Sequence, residues 1–231
     1  MLSDWAQFQP YIIQLEQEGL ATRTFRRLDP QRQGAIVGAI LDEATEHGPA
    51  ALSIKRVAKR ADVAVGSLYQ YFSNRDGMLQ FVVELCVRYT KDAFEQFRPY
   101  LAAMPLRDAL SVYLVGGIEW SKTQAGLLKL FARAAYQGDP ELAESLVIPI
   151  ADVLREMVHD ILSTALGRGE LRPDVDLESA TRIVHALMIA AGDSQLLPYL
   201  NNYFQLTGPD LPPEQLVEAL LDLVIQAISA E

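Results

Sequence analysis

Along this chain apolar residues recur at intervals of three and four, interrupted by Pro, Gly and Asp, a pattern that predicts a succession of amphipathic helices. Tyr11, Ile12, Leu15 and Leu20 fit a short helix after Pro10. Ile36, Val37, Ile40, Leu41 and Ala44 line one stripe of a helix from Pro30 to His47, which Gly48-Pro49 ends. Ser73-Asn74 then begins a long helix, with Met78, Leu79, Val82, Val83, Leu85, Cys86 and Tyr89 apolar, continuing to about Phe97 and closed by Pro99. Further helices read from Pro105 to about Thr123, from Ala125 to Gln137, from Glu141 to Leu166 with a kink or division at Pro149, from Asp176 to around Leu197, and from about Pro213 to Ile228. Tyr199 to Phe204 stays undecided. There is no internal repeat, no strand-period segment and no low-complexity run, so the expected fold is all-α.

The stretch from Ser53 to Arg75, SIKRVAKRADVAVGSLYQYFSNR, differs from the rest by packing two short helices around a tight turn. In the first, Ile54, Val57, Ala58 and Ala61 share one side, Lys55, Arg56, Lys59 and Arg60 point elsewhere, and Ser53 is the N-cap. Asp62 stands at the turn, where Asp tolerates the left-handed conformation, and Val63 plugs the angle between the helices. In the second, Val65 to Tyr71, Leu68 and Phe72 are spaced for burial, which leaves Gly66, Ser67, Tyr69, Gln70 and Tyr71 facing outward. Small and polar residues at the start of a helix, followed by tyrosines, suit a major groove, as in helix-turn-helix docking. Tyr71 is then expected on phosphate, Ser67, Tyr69 and Gln70 on base edges, and Ala64 and Val65 in apolar contact such as a thymine methyl. Ser53, Lys55 and Gly66 complete the candidate DNA contacts.

Charge at first opposes this reading. The 231 residues carry a net charge of -10, but it is unevenly spread: residues 1–20 hold three acids and no Lys or Arg, residues 21–80 hold nine basic and six acidic side chains, and residues 81–231 hold eleven and twenty-one. The basic excess coincides with the helix-turn-helix, and phosphate contact is a local electrostatic matter. Arg23, Arg26 and Arg27 form a small cluster ahead of Asp29, open to two readings: an arm that touches phosphate or the minor groove, or a solvated linker with an appended helix. The single cysteine, Cys86, allows no internal disulfide and reads as a small core residue. No signal-peptide pattern or membrane-length apolar run is seen, so a cytoplasmic protein without a membrane partner is expected.

The residues A-x-x-A-x-V-x-x-G-S-L-Y-x-Y-F, followed by N-R-D-G-M-L, resemble the N-terminal domain of TetR-type transcriptional regulators. The resemblance covers Gln31 to Leu85 at motif level and, beyond that, only length, helicity and order of elements. Asp62 stands where the family usually has Gly, and Ala64 where a Ser cap is common. The resemblance implies an N-terminal extension at 1–29, a three-helix helix-turn-helix domain at 30–75, and a helical effector-binding and dimerisation domain at 76–231. It also implies that Arg75 occupies a phosphate-contacting position and that the long helix from Asn74 links the two parts. The last two helices would pair with their copy in an isologous four-helix interface, with Ile183, Leu187, Ala190, Ala191, Leu220, Leu223 and Val224 as candidates. Such a two-fold homodimer sets its recognition helices ~34 Å apart and implies a palindromic operator on double-stranded DNA.

For a small lipophilic effector, the middle helices offer Tyr89, Tyr113, Trp120, Phe131, Tyr136, Met157, His185 and Met188, although aromatic and Met residues at helical spacing are ordinary core. The function expected is a repressor released by that effector. An activator or a ligand-independent DNA-binding protein shares the same DNA chemistry. A helical-bundle enzyme would rest on Asp174, Asp176 and Glu178 before a helix, but they lack a matching cluster on another helix, and capping is their simpler role. With no nucleophile constellation, phosphate-binding Gly loop or Cys/His metal spacing, neither catalysis nor a metal or other cofactor is expected.

Overall fold

In the computed structural model, which describes residues 5–230, a turn at Trp5–Phe8 leads into α1 (Gln9–Gln17), α2 (Arg23–Arg26), α3 (Pro30–His47), α4 (Ile54–Arg60) and α5 (Val65–Tyr71). There follow α6 (Arg75–Ala103), α7 (Leu106–Thr123), α8 (Ala125–Gln137), α9 (Pro140–Leu142), α10 (Ile148–Gly167), α11 (Leu177–Leu196), α12 (Pro198–Phe204) and α13 (Pro213–Ile228). The described residues form no β-strand, only two isolated bridges. They divide into two compact units that do not follow chain order: Met1–Asp92 with Thr123–Ile150, and Ala93–Lys122 with Ala151–Glu231. Helices α6 and α10 contribute residues to both.

The first unit is built on α3. Asp29 caps it by accepting from the Arg32 backbone N–H at 2.9 Å, Pro30 opens its first turn, and Gly48 at φ +84 ends it. Its stripe of Ile36, Val37, Ile40, Leu41 and Ala44 is buried, as the periodicity predicts. It packs against α4 and α8; the α8 contact is close enough that a Cβ at Gly126 would lie 3.3 Å from Leu41. Arg133 of α8 donates to the Thr45 carbonyl at 2.9 Å, satisfying an acceptor in the last turn of α3.

The stripe also contains a fully buried amide, Gln33. Its Oε1 accepts from the Trp5 indole N–H at 2.8 Å and from Gln9 Nε2 at 2.7 Å, while its Nε2 donates to the carbonyls of Phe25 and Arg26, both at 3.1 Å. The indole can only donate and the carbonyls only accept, which fixes how the amide lies. One side chain thereby ties the N-terminal segment and α2 to α3. Below it the rings of Phe25, Phe72 and Phe81 meet at centroid distances of 5.1 to 5.2 Å, all buried, each contributing on the order of 1.5–3 kcal/mol by burial. Helix α1 is held to α6 by Tyr11, whose phenol donates to Asp92 at 2.9 Å, and by Glu18, which pairs with Arg88 at 2.6 Å. Burial and the Asp92 carboxylate push the Tyr11 phenol up to about 12. Cys86 is buried in α6, and burial pushes its thiol up to about 12, as befits an inert core residue.

In the second unit Leu110, Leu114, Val158, Ile161, Leu162, Val184, Met188 and Leu221 form the centre of the core. Asp176 caps α11 by accepting from the Ser179 backbone N–H and hydroxyl, which holds its carboxyl below the usual range. Gly192 of α11 faces α7, where a Cβ would lie 3.8 Å from Ile118 and Leu114, an ordinary van der Waals distance.

Two prolines behave differently from expectation. Pro99 does not close α6, which runs on to Ala103. Proline removes the donor for the Glu95 carbonyl, but Glu95 and Pro99 both face solvent, and the added turn buries Leu101 in the core of the second unit. Pro149 neither kinks nor divides a helix at its own position. A π-helical turn at Ala143–Val147 lies just before it, and the helical run passes from that turn through Ile148 and Pro149 into α10 without a non-helical residue. The undecided segment after Leu197 is the helix α12, ended by Gln205 at φ +53.

Replacing Gln33 with Leu removes four hydrogen bonds and leaves the half-buried indole N–H of Trp5 without its acceptor. A loss of about 1–3 kcal/mol is expected, read as a lower urea midpoint by fluorescence in a Trp120→Phe background, where Trp5 is the sole reporter. An unchanged midpoint would mean that the amide network contributes nothing.

Candidate nucleic-acid interface

Helix α4 starts at Ser53, whose Oγ accepts from the Arg56 backbone N–H at 3.5 Å and whose own N–H donates to Glu43 Oε1 at 3.1 Å. Glu43 is fully buried on α3, and its Oε1 also accepts from Arg56 Nε at 2.6 Å. One oxygen of a buried carboxylate thus takes the Ser53 N–H at the start of α4 together with the Arg56 guanidinium and anchors the helix to α3, while Glu43 Oε2 makes no hydrogen bond. Asp62 adopts φ +53 at the turn, and Val63 is half-buried between the helices. Val57, Ala58, Leu68 and Phe72 are buried as expected and set the angle.

Helix α5 presents what this frame leaves outside. Ala64, Val65, Gly66, Tyr69 and Gln70 are exposed, Tyr69 by 57%, and Ser67 is half-exposed. Ala64, at the N-cap with extended backbone, supplies no side-chain acceptor. A Cβ built on Gly66 meets nothing within 4 Å, so no internal contact requires glycine there.

Of the two expected phosphate contacts, Tyr71 is turned inward and Arg75 lies at the surface. Tyr71 is only 7% exposed, its ring 6.0 Å from Phe25, because it follows Leu68 by three residues and shares its inward face. Arg75 is exposed but engaged, bonding Asp76 at 2.7 Å and the Ala50 carbonyl at 2.9 Å, which ties the start of α6 to the turn after α3. Asn74 caps α6 by accepting from the Gly77 N–H at 2.8 Å. Arg56 and Arg60 are engaged with Glu43 and Glu46. Among the described residues Lys55 and Lys59 of α4 are exposed with no ion pair.

The C-terminal end of α5 is held by a residue the sequence did not single out. Thr22 donates its backbone N–H to the Tyr71 carbonyl at 3.0 Å and its hydroxyl to the Gln70 carbonyl at 2.7 Å. A threonine 48 residues upstream of Gln70 carries no sequence signal for that contact. Glu43 was equally hidden, an acid within an apolar stripe.

The candidate effector residues fall in both units. Tyr89, Phe131 and Tyr136 lie in the first, where Tyr89 donates to Gln7 at 2.8 Å and packs on Phe8 with ring centroids 4.3 Å apart, while Tyr136 is exposed. Tyr113, Trp120, Met157, His185 and Met188 lie in the second. There Tyr113, Met157 and Met188 are buried in one core, and Trp120 packs on Phe94. The Tyr113 hydroxyl and His185 Nδ1 are buried polar atoms without a hydrogen bond; burial pushes the tyrosine up, with the Asp193 charge adding, and pushes the histidine down, with Arg155 adding. Of the candidate interface residues, Ile183 and Leu223 are exposed by 61% and 62%, Leu187 is also exposed, and Ala190 is half-exposed. Ala191, Leu220 and Val224 instead belong to the core of their own chain, because they sit on the opposite side of α11 and α13. Asp174, Asp176 and Glu178 do not converge: Asp176 caps α11, Glu178 bonds Arg182 at 2.7 Å, and Asp174 lies 4.0 Å from Arg172. The described residues contain no group of three potential ligands for a metal ion and no helix long and apolar enough to cross a membrane.

Residues 36–82, from the stripe of α3 through the first turns of α6, match the family described as "Bacterial regulatory proteins, tetR family". The HTH-type transcriptional regulator BetI of Stenotrophomonas maltophilia is 26% identical over 118 residues, 50% of this chain and 60% of that relative. Against the further BetI relatives from Yersinia the chain spans about half of their length, 52%. In structure, a TetR family transcriptional regulator from Chloroflexus aurantiacus superposes over 91% of this chain and 99% of its own, with TM-score 0.64 and 21% identity. The regulator FadR of Bacillus subtilis, in complex with stearoyl-CoA, covers 84% of this chain and 98% of its own, with TM-score 0.57 and 18% identity. The helix-turn-helix domain therefore belongs to the TetR family of bacterial regulatory proteins, and the helices behind it have the fold of that family's regulators.

Proposed function

We propose that the chain is a transcriptional regulator that binds a palindromic operator as a homodimer, acts as a repressor, and is released when a small lipophilic effector binds its helical body. The observation that carries the DNA reading is the outer face of α5: Gly66, Ser67, Tyr69 and Gln70 together on a helix whose inner residues Leu68 and Phe72 are locked in the core. This is the form of a recognition helix, with base-reading groups outward on a rigid support. Gly66 supports it further, since the chain itself gives no reason to keep a side chain off that position. Exposed Ile183, Leu187 and Leu223 favour a second copy as partner, because large apolar residues at neighbouring positions of a soluble chain mark an interaction surface. The effector reading is favoured by the unpaired Tyr113 hydroxyl and His185 Nδ1 among apolar neighbours, the polar tips that fix a lipophilic ligand, and by the stearoyl-CoA held by the FadR neighbour. The effector acts by reorienting α6 and so the spacing of the two recognition helices; an effector that saturates the protein without changing operator affinity would defeat that mechanism.

Selection of bound sequences from random duplexes is expected to return a palindrome with half-sites about one helical turn apart. In that assay Gln70→Ala and Ser67→Ala are expected to relax base preference at defined positions, by about 1–3 kcal/mol for a bidentate contact, while retaining the salt dependence of binding. A uniform loss of affinity across all duplexes would remove both residues from base readout.

Two substitutions in the first turn of α5 separate folding from binding. Ala64→Ser supplies the missing N-cap and is expected to raise stability by roughly 0.5–1 kcal/mol, seen as a higher denaturant midpoint. Gly66→Ala is expected to stabilise by about 0.5 kcal/mol through helix propensity and yet to weaken operator binding at least tenfold, because the backbone there approaches the DNA. Unimpaired binding by the Gly66→Ala protein would place the DNA elsewhere.

A further inference from the structure

The turn that precedes α3 is fixed to the recognition helix from two sides. Thr22 caps α2, its Oγ1 accepting from the Phe25 backbone N–H at 3.4 Å, and the same hydroxyl donates to the Gln70 carbonyl at 2.7 Å. Its backbone N–H reaches the Tyr71 carbonyl at 3.0 Å. These carbonyls belong to the last turn of α5, where intrahelical donors run out, so the contact completes the recognition helix as well as seating α2. On the other side Phe25 is fully buried against Phe72 and Phe81, and Gln33 holds the carbonyls of Phe25 and Arg26. A solvated linker has none of these bonds.

The arginines on this turn then divide. Arg26 is paired with Glu16. Arg23 and Arg27 are exposed and, among the described residues, form no ion pair or side-chain hydrogen bond. This contrasts with Arg56, Arg60 and Arg75, each held by a carboxylate. Of the nine cations between residues 21 and 80, those without an ion pair among the described residues are Arg23, Arg27, Arg32, Lys55 and Lys59. A cation already neutralised by a neighbour gains little from a phosphate, whereas an unpaired one adds its full share to counterion release.

We infer that the turn Arg23–Arg27 is a second DNA-contacting element, in which Arg23 and Arg27 bind backbone phosphates flanking the bases faced by α5. The inference rests on the DNA-binding reading of α5 and adds a contact outside the helix-turn-helix. Because Thr22 bonds the end of α5 directly, the phosphate grip and the base-reading helix move as one piece. The grip therefore sets the register of α5 on the duplex and is itself blind to sequence.

The test uses the full chain and the duplex selected by the wild-type protein, with affinity followed by fluorescence anisotropy between 50 and 300 mM salt. Arg23→Ala/Arg27→Ala is expected to lose about tenfold in affinity and to lower the slope of log K against log salt by about 1.8, since each lost phosphate contact accounts for about 0.9. It should select the same consensus and melt at the wild-type temperature. Arg23→Lys/Arg27→Lys should restore the slope, because a lysine also binds phosphate as a point charge. Arg26→Ala, whose charge is already paired, should leave the slope unchanged. A wild-type slope and affinity in the double alanine variant overturn the inference while leaving the function of α5 intact. A changed consensus overturns it too, by assigning these arginines to base edges in the minor groove. A wild-type chain that selects no duplex overturns both this inference and the regulator reading.

Discussion

Helix α3 carries two polar side chains in an otherwise apolar stripe, Gln33 near its start and Glu43 near its end, both with no solvent exposure, and the neighbouring elements dock on the hydrogen bonds these two make, four at Gln33 and those of Oε1 at Glu43. A buried amide or carboxylate costs several kcal/mol if its hydrogen bonds are not made, so each accepts very few docking geometries for its neighbours. Hydrophobic burial alone tolerates small sliding of one helix on another. Gln33 removes that freedom for the N-terminal segment, since Trp5, Gln9, Phe25 and Arg26 must all meet one planar group. Glu43 removes it for α4, by taking the Ser53 N–H and the Arg56 guanidinium together. The placement of α4, and through Asp62 of α5, follows from this.

Much of the fold was legible because its signals are local. The boundaries of α3, α5, α8 and α13 fall where the apolar period and its Pro, Gly and Asp punctuation put them. Asp62 in the left-handed region, Asp176 as a cap and the missing cap at Ala64 are likewise properties of a few adjacent residues. Pro99 shows where local reading fails: its helix-breaking cost is a few kcal/mol, and the burial of Leu101 beyond it offsets that cost, a tertiary term with no local trace. Tyr71 misled for a related reason. An aromatic in the last turn of α5 looks like a surface contact until Phe25, which comes from outside the motif, closes over it.

The site was legible as a list of residues but not as a distribution of charge. In the sequence every Lys and Arg between residues 21 and 80 counts equally toward a basic patch. The fold divides them into cations held by Glu43, Glu46, Asp76 and Glu16, which orient helices, and cations that remain uncompensated. Arg75 belongs to the first group and secures the start of α6, while Lys55 belongs to the second. The net charge of a segment therefore overstates how many of its side chains are available to a polyanion, and the pairing pattern locates the ones that are.

The two ends of α5 are held unequally, and this bears on how it can read a duplex. Its C-terminal carbonyls at Gln70 and Tyr71 are bonded to Thr22, and Leu68 and Phe72 are buried beneath them. Its N-terminal turn has no side-chain cap at Ala64 and bears exposed Val65 and an uncrowded Gly66. Backbone N–H groups left without an intrahelical partner at that end are free to bond an anion, and a glycine lets the backbone come close to one. Under the DNA reading proposed above, the end of α5 fixed by Thr22 holds Gln70 and Tyr69 in a constant orientation toward the groove. The absence of a Ser cap at Ala64 is then consistent with the rest of the unit, since the anchor that a cap would give at the start of α5 is provided at its end by Thr22.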